Sequence, residues 1–291
     1  MASSQIREAP AARDLMGPAL MIVAMLCFVI LDAILKHLVT RHSGFFLSWG
    51  RCLVQALLVG ALVPFLGGVR TLATAHPWLQ VVRGACIVVT SVAMIVASRT
   101  MPLTEIYVIA FASPLIATMI ATVVLGEKAT ALQWSLIVGG FLGVMIALNP
   151  TAPTASLILI LPLIQAAGNG VYHVLTRICA RSDAAEAQLF HAGLHATLML
   201  GVLLPWTFVA MPAGDWVLLA GGSVLVTIGH FLLIKAFTLA PTARVSPMVY
   251  FQIVWATLIG YWAFGDRPSA STIIGGAIII TCGVLLIRSR S

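Results

Sequence analysis

The sequence predicts an all-α integral membrane fold: ten transmembrane helices in two inverted five-helix repeats, with N and C termini cytoplasmic. Three observations lead there. Of the 291 residues, 60% are hydrophobic and 9% charged, with a mean hydropathy of +1.06, whereas a soluble domain carries about 25% charged residues. One core of this length cannot hide so much apolar surface, so the excess faces lipid. The apolar runs between Gly, Pro and charged punctuation match the roughly 20 residues a helix needs to cross a bilayer. A short motif also recurs at a constant offset of 139 residues, as expected of a duplicated bundle.

In chain order, residues 1–16 carry Arg7, Glu8, Arg13 and Asp14, lack the apolar centre of a secretory signal, and read as a loose cytoplasmic tail. Hydropathy places helices at 17–39, 44–66, 77–98, 104–125 and 131–149, forming the first repeat (17–149). A second set at 156–178, 186–210, 215–237, 242–264 and 270–288 forms the second repeat (156–288). Every connection is short, which leaves no room for a sizeable soluble domain. With both termini inside, eleven of the sixteen Lys and Arg residues lie on the cytoplasmic side, and Lys36, Arg41, Arg51, Arg99 and Arg267 on the other. That is the bias of the positive-inside rule. Trp49, Trp78, Trp134 and Trp216 fall near helix ends, where amphipathic rings favour the headgroup layer. The net charge of +7 comes from scattered residues with no dense basic patch, which argues for a membrane and against nucleic acid as partner. Five cysteines without C-x-x-C spacing indicate neither a disulfide framework nor a zinc knuckle.

The repeat is legible directly. Met101-Pro102-Leu103-Thr104 and Gly126-Glu127-Lys128 recur as Ala240-Pro241-Thr242-Ala243 and Gly265-Asp266-Arg267, and Gly143-Val144 recur as Gly283-Val284, one residue further on. A unit of five spans is odd, so the second copy starts on the other side of the membrane and is inverted, placing a site at the midplane between the halves.

These residues resemble the drug/metabolite transporter superfamily in its ten-helix bacterial form. The resemblance covers essentially the whole chain. Met101-Pro102-Leu103-Thr104, Ser113-Pro114-Leu115, Gly126-Glu127, and the Arg51 and Arg83 that open helices two and three carry it. Within the superfamily the chain looks like the aromatic amino-acid exporter group, while riboflavin and S-adenosylmethionine carriers share much of the pattern. The resemblance implies a multi-pass protein of the bacterial inner membrane that exports a small-molecule substrate. One departure stands out: the proline expected midway along helix nine is absent at Ile253, and Pro247 lies nearer the start.

Ionisable side chains are costly in a bilayer and so mark a pathway, a relay or an internal pair. Asp32 and Lys36 sit at i and i+4, a spacing that suits an intrahelical ion pair, with substrate or proton binding by Asp32 as the alternative. Arg51 and Arg83 offer planar forks for a substrate carboxylate, or for an acidic partner on a neighbouring helix. Helix six aligns Gln165, Asn169, Tyr172, His173 and Thr176 on one face, which reads as cavity lining. On helix seven Gln188, His191 and His195 share a side; the histidines have metal-ligand spacing but no third ligand, so a pore-lining role fits better than a metal site. Tyr107 and Phe111 on helix four, and Tyr250 with Trp255 on helix nine, can stack on a substrate or simply fill helix contacts. Pro114, Pro162 and Pro247 interrupt helices and suit gates. Glu127 and Asp266 end equivalent helices on opposite faces and are candidate latches. Gly139-x-x-x-Gly143, and Gly275, Gly276 and Gly283, form close-packing faces, either between repeats or between subunits of a homodimer.

The expected function is a secondary transporter exporting aromatic or other neutral amino acids or related metabolites by alternating access, or alternatively importing a metabolite such as riboflavin or S-adenosylmethionine. No Walker-type phosphate loop is present, and neither a cofactor nor a metal is expected. Gly221-Gly222-Ser223 with His230 is the nearest approach to an intramembrane enzyme, and it lacks a recognisable nucleophile motif.

Overall fold

The computed structural model describes residues 10–65, 68–124, 130–148, 157–239 and 246–288. Among these residues the chain forms twelve α-helical segments and four short 3-10 turns, with no strand. Helices prevail because, in lipid, each satisfies its own backbone N–H and C=O groups. They are α1 (Pro10–Leu38), α2 (Gly44–Leu62), α3 (Pro77–Ser98), α4 (Leu103–Ala110), α5 (Ser113–Val124) and α6 (Ala131–Leu148). There follow α7 (Ile160–Cys179), α8 (Ala185–Gly201), α9 (Leu204–Thr207), α10 (Ala213–Leu239), α11 (Phe251–Phe264) and α12 (Ala270–Arg288). Among the described residues, seven stretches are long and apolar enough to cross a membrane, and Met248–Phe264 and Ala270–Leu286 are shorter apolar helices. Exposed Leu57, Leu142, Phe231, Trp262 and Ile273 make the outward faces greasy.

Prolines account for most departures from the predicted boundaries. Residues 10–16, expected to be loose, are helical and continuous with the first span. The helix expected over 104–125 is broken after Ala110. Pro114 has no N–H to offer the Ala110 carbonyl, and its ring would clash there. The chain instead bridges with Ala112 N–H to Ile109 O at 3.0 Å and Leu115 N–H to Ala112 O at 3.0 Å. The helix expected over 186–210 ends at Gly201, with Pro205 opening the single turn α9. In the second repeat, a 3-10 segment Ser246–Tyr250 precedes α11. Its end at Tyr250 is the counterpart of Phe111 under the offset of 139, so the two helices are irregular at equivalent positions although Ile253 replaces the proline.

The helices pack in a pattern that survives exchange of the two repeats. α1 packs on α10 while α3, the first-repeat equivalent of α10, packs on α7, the equivalent of α1. α2 with α8, α4 with α11 and α6 with α12 pair with their own counterparts. The seam between α6 and α12 is the glycine face: a Cβ at Gly275 would lie 2.5 Å from Gly143 O, and one at Gly143 would lie 3.0 Å from Gly275 O. Small residues let the backbones touch. Of the two readings of these glycines, the structure uses them between repeats.

The bundle is tied at both ends by polar contacts. At the C-terminal end of α3, Lys36 bridges to Asp266, donates to Met101 O at 3.3 Å, and sits 4.6 Å from the Phe264 ring centroid. Asp215 there pairs with His42 Nε2 at 2.7 Å and with Arg41 at 3.3 Å, and Arg99 donates to Val39 O at 2.8 Å. Gly265, at φ 69, caps α11 so that the N–H of Asp266 bonds Gly260 O at 3.0 Å, and this left-handed turn aims Asp266 at Lys36. At the opposite end Asp183, between α7 and α8, accepts from Ala75 N at 2.8 Å, from Gln80 at 2.8 Å, and from Thr74.

Candidate functional site: a central cavity between the repeats

A cavity of about 680 Å³ lies among α1, α3, α4, α5, α7, α10 and α11, with Arg51 contributed by α2 and Gly283 and Leu286 by α12. Both repeats supply walls. Its polar lining includes Asp32, Arg51, Ser91, Tyr107, Gln165, Asn169, His173, His230, Tyr250 and Gln252, and its apolar lining includes Phe28, Met94 and Phe111. The two helix irregularities meet here: the Phe111 and Tyr250 rings stand 5.1 Å apart at 39°. A Cβ on Gly283 would lie 1.6 Å from the Tyr250 hydroxyl, so only glycine leaves that hydroxyl its place.

Of the residues predicted for substrate contact, Arg51, Tyr107, Gln165, Asn169, His173 and Tyr250 line the cavity, and four do not. Arg83, 1% exposed, is consumed by the protein itself. It donates to Thr176 Oγ1 at 3.1 Å, to Tyr172 Oη at 3.0 Å and to Gln80 Oε1, and its guanidinium lies 4.8 Å from the Tyr172 ring centroid. That network withdraws Tyr172 as well. His191 donates through Nε2 to Leu72 O at 2.9 Å and stacks on His195, tying α8 to the loop before α3. Trp255 donates to Ile22 O at 3.1 Å and locks α11 on α1.

The ion pair expected within α1 is replaced by two longer-range contacts. Asp32 accepts a hydrogen bond from Tyr107 Oη, and Lys36 turns to Asp266 across the repeat boundary. The i to i+4 rule reads only one helix, whereas a bundle offers partners from every neighbour. Tyr107 Oη also lies 3.5 Å from Gln252 Nε2, so one hydroxyl joins α1, α4 and α11. Pro114 lies in the first turn of α5 and Pro247 in the 3-10 segment before α11, with their side chains outside those described, and Glu127 lies outside the described residues.

Several contributors escaped the sequence reading. Glu105, one residue beyond Met101-Pro102-Leu103-Thr104, lies near Thr272 and feels the charges of Asp266 and Lys36; an acid at membrane depth was the available signal. Ser91, Gln252 and Phe28 showed no distinguishing pattern. Ser223 spends its hydroxyl on Leu219 O at 2.7 Å, and His230 Nδ1 bonds Val226 O at 2.8 Å, so neither is arranged as a nucleophile with its base. Outside the membrane, burial would raise the Asp183 carboxyl, but bonds from Thr74, Ala75 N, Gln80 and Ser182 outweigh it and hold the group down at about 2.

Among the described residues, apolar helices surround a cavity lined by polar and aromatic side chains. The chain belongs to the EamA-like transporter family, whose profile matches residues 15–149 and again 156–289. It is similar to the S-adenosylmethionine uptake transporter of Rickettsia prowazekii (strain Madrid E), 23% identical over 264 residues, covering 89% of this chain and 88% of that one. It is similar to the riboflavin transporter of Rhizobium johnstonii, 23% identical over 289 residues, 96% of this chain and 93% of the other. It also matches the pseudopaline exporter CntI of Pseudomonas aeruginosa, 25% identical over 281 residues, 94% of this chain and 96% of the other. A solved crystal structure superposes with a TM-score of 0.63 at 18% identity, over 97% of this chain and 100% of that one, and shows the shared fold.

Proposed function

We propose that the protein is a secondary transporter of the bacterial inner membrane that exports amino acids, aromatic or other neutral, or closely related metabolites, by alternating access. Export is the direction implied by the resemblance to amino-acid exporters. The observation that carries the reading is the central cavity of about 680 Å³ walled by helices of both repeats, with charged and aromatic side chains facing inward. Ten spans in two inverted repeats, 17–149 and 156–288, with both termini cytoplasmic, agree with the exchange symmetry of the packing and with the bias of Lys and Arg. In that orientation the Lys36 to Asp266 bridge closes the outer end, and the cavity, which reaches Met25, Thr118, Leu233 and Leu286, leans toward the cytoplasm. Rocking one repeat against the other would break that bridge and reverse access.

A second reading, import of a metabolite, is favoured by the names of two relatives, for S-adenosylmethionine uptake and for riboflavin. S-adenosylmethionine carries an amino-acid end; riboflavin does not. Counterflow into liposomes containing the purified protein, preloaded in turn with neutral and aromatic amino acids, S-adenosylmethionine and riboflavin, tests both. Saturable exchange of amino acids is expected; exchange of riboflavin alone rejects the amino-acid reading, and chemical conversion of a panel member would make the protein an enzyme.

A further inference from the structure

The cavity holds two side chains of opposite formal charge that are not paired with each other. Asp32 accepts from the Tyr107 hydroxyl, and Arg51 donates through one terminal nitrogen to Ser91 Oγ, with a weak second contact to Cys52 Sγ at 3.5 Å. Among the described residues the salt bridges join Lys36 to Asp266 and Arg41 and His42 to Asp215, and include neither group. Yet both line the same cavity, close enough for the Arg51 charge to act on the Asp32 carboxylate. A pair serving only to hold helices together would close directly, since an uncompensated charge at membrane depth is expensive. Here each is held by a neutral hydroxyl and lines the cavity.

Two residues of the lining also carry a buried polar atom without a partner: Gln165 Oε1 and Tyr250 Oη, on residues 8% and 7% exposed. Gln165 Oε1 accepts only, so with Asp32 it offers acceptors to a ligand bearing N–H groups. Arg51 retains N–H donors beyond those directed at Ser91 and Cys52, in a planar fork that suits a carboxylate. Phe111 and Tyr250 supply an aromatic wall. With histidines neutral, Asp32 and Arg51 carry the only formal charges among the described residues of the lining, and these cancel. An incoming amine or carboxylate alone would satisfy one and leave the other buried and uncompensated. A zwitterion satisfies both and keeps the loaded cavity neutral.

We infer that the cavity selects zwitterions: Asp32 receives a substrate ammonium group, Arg51 its carboxylate, and Phe111 with Tyr250 an apolar or aromatic side chain. This rests on the carrier reading above and narrows it to substrates with a free α-amino and a free α-carboxyl group. Leaving a buried charge or polar group unmatched is the kind of penalty that separates analogues strongly.

The test is counterflow by the full-length protein in liposomes, using L-tryptophan and L-leucine, the N-acetyl and amide forms of each, and riboflavin. Exchange of at least one zwitterion is expected, with both blocked forms of an exchanged amino acid at least about tenfold weaker. In variants that retain the wild-type thermal midpoint, Asp32→Asn should lose discrimination against the N-acetyl form, and Arg51→Gln against the amide. Equal exchange of free and blocked forms, or exchange of riboflavin alone, overturns the zwitterion site and leaves the carrier standing. Absence of saturable exchange for every compound overturns both. The wild-type comparison decides the matter even if neither variant folds.

Discussion

Asp183 and Gly283 show how much rests on single atoms. The Asp183 carboxylate gathers Thr74, the Ala75 N–H, Gln80 and Ser182 into one knot at the end of the bundle opposite Lys36. Its folded pKa is depressed, so its contribution is present above the unfolded value of about 3.8 and is lost as pH falls through about 2. Acid denaturation in detergent should therefore steepen between roughly pH 4 and pH 2, and Asp183→Asn should remove that component while lowering the thermal midpoint at pH 7 by about a few degrees. An unchanged acid profile in the variant would refute the assignment. Gly283→Ala places a methyl where the Tyr250 hydroxyl lies, an overpacking of about 1–3 kcal/mol. Transport should fall, and adding Tyr250→Phe, which removes the clashing oxygen, should restore part of it; a double-mutant cycle with no coupling would sink this account.

At the scale of elements, turns decide which residues meet. Gly265 at φ 69 ends α11 and turns Asp266 toward Lys36. Gly265→Ala should cost about 1 kcal/mol in stability, and Gly265→Asn less, because Asn tolerates the left-handed region better. Equal thermal midpoints for Ala and Gly would show that the turn is not held there. The breaks at Phe111 and Tyr250 carry a related lesson. Pro114 announced the first in the sequence, through its missing N–H. The second, where the 3-10 turn Ser246–Tyr250 passes into α11 at the symmetry-equivalent position, has Pro247 within the turn and Ile253 where the matching proline would stand. At its end, Tyr250 packs against Phe111 and Gly283.

For the whole molecule, the question is which end opens. Lys36 belongs to the first repeat and Asp266 to the second, and their bridge is partly buried, with side chains 12% and 16% exposed. Breaking one partner leaves the other charge in a poorly solvated place. Lys36→Met should therefore favour the state open at that end, read as faster labelling of Gln252→Cys by a membrane-impermeant maleimide added outside. The exchanged pair Lys36→Asp with Asp266→Lys should return the labelling rate toward that of the parent. Unchanged labelling in Lys36→Met would mean that Asp215 with Arg41 and His42, or the helix contacts themselves, hold the end shut.

Composition and the 139-residue offset were sufficient to read an apolar helical bundle built by duplication, because lipid burial and backbone satisfaction are averaged over whole segments. The polar stripe of α7 was legible for the same reason: helical period alone puts Gln165, Asn169 and His173 on one face, and all three line the cavity. Period could not say where that face ends. Tyr172 shares the stripe but is drawn to Arg83, and of two similar arginines only Arg51 reaches the cavity, because Gln80, Tyr172 and Thr176 satisfy Arg83 from neighbouring positions and another helix. Likewise Asp32 and Lys36 are neighbours along α1 that separate toward Tyr107 and Asp266. The partner of a buried charge is chosen among helices distant in sequence, and only the tertiary structure brings those helices together.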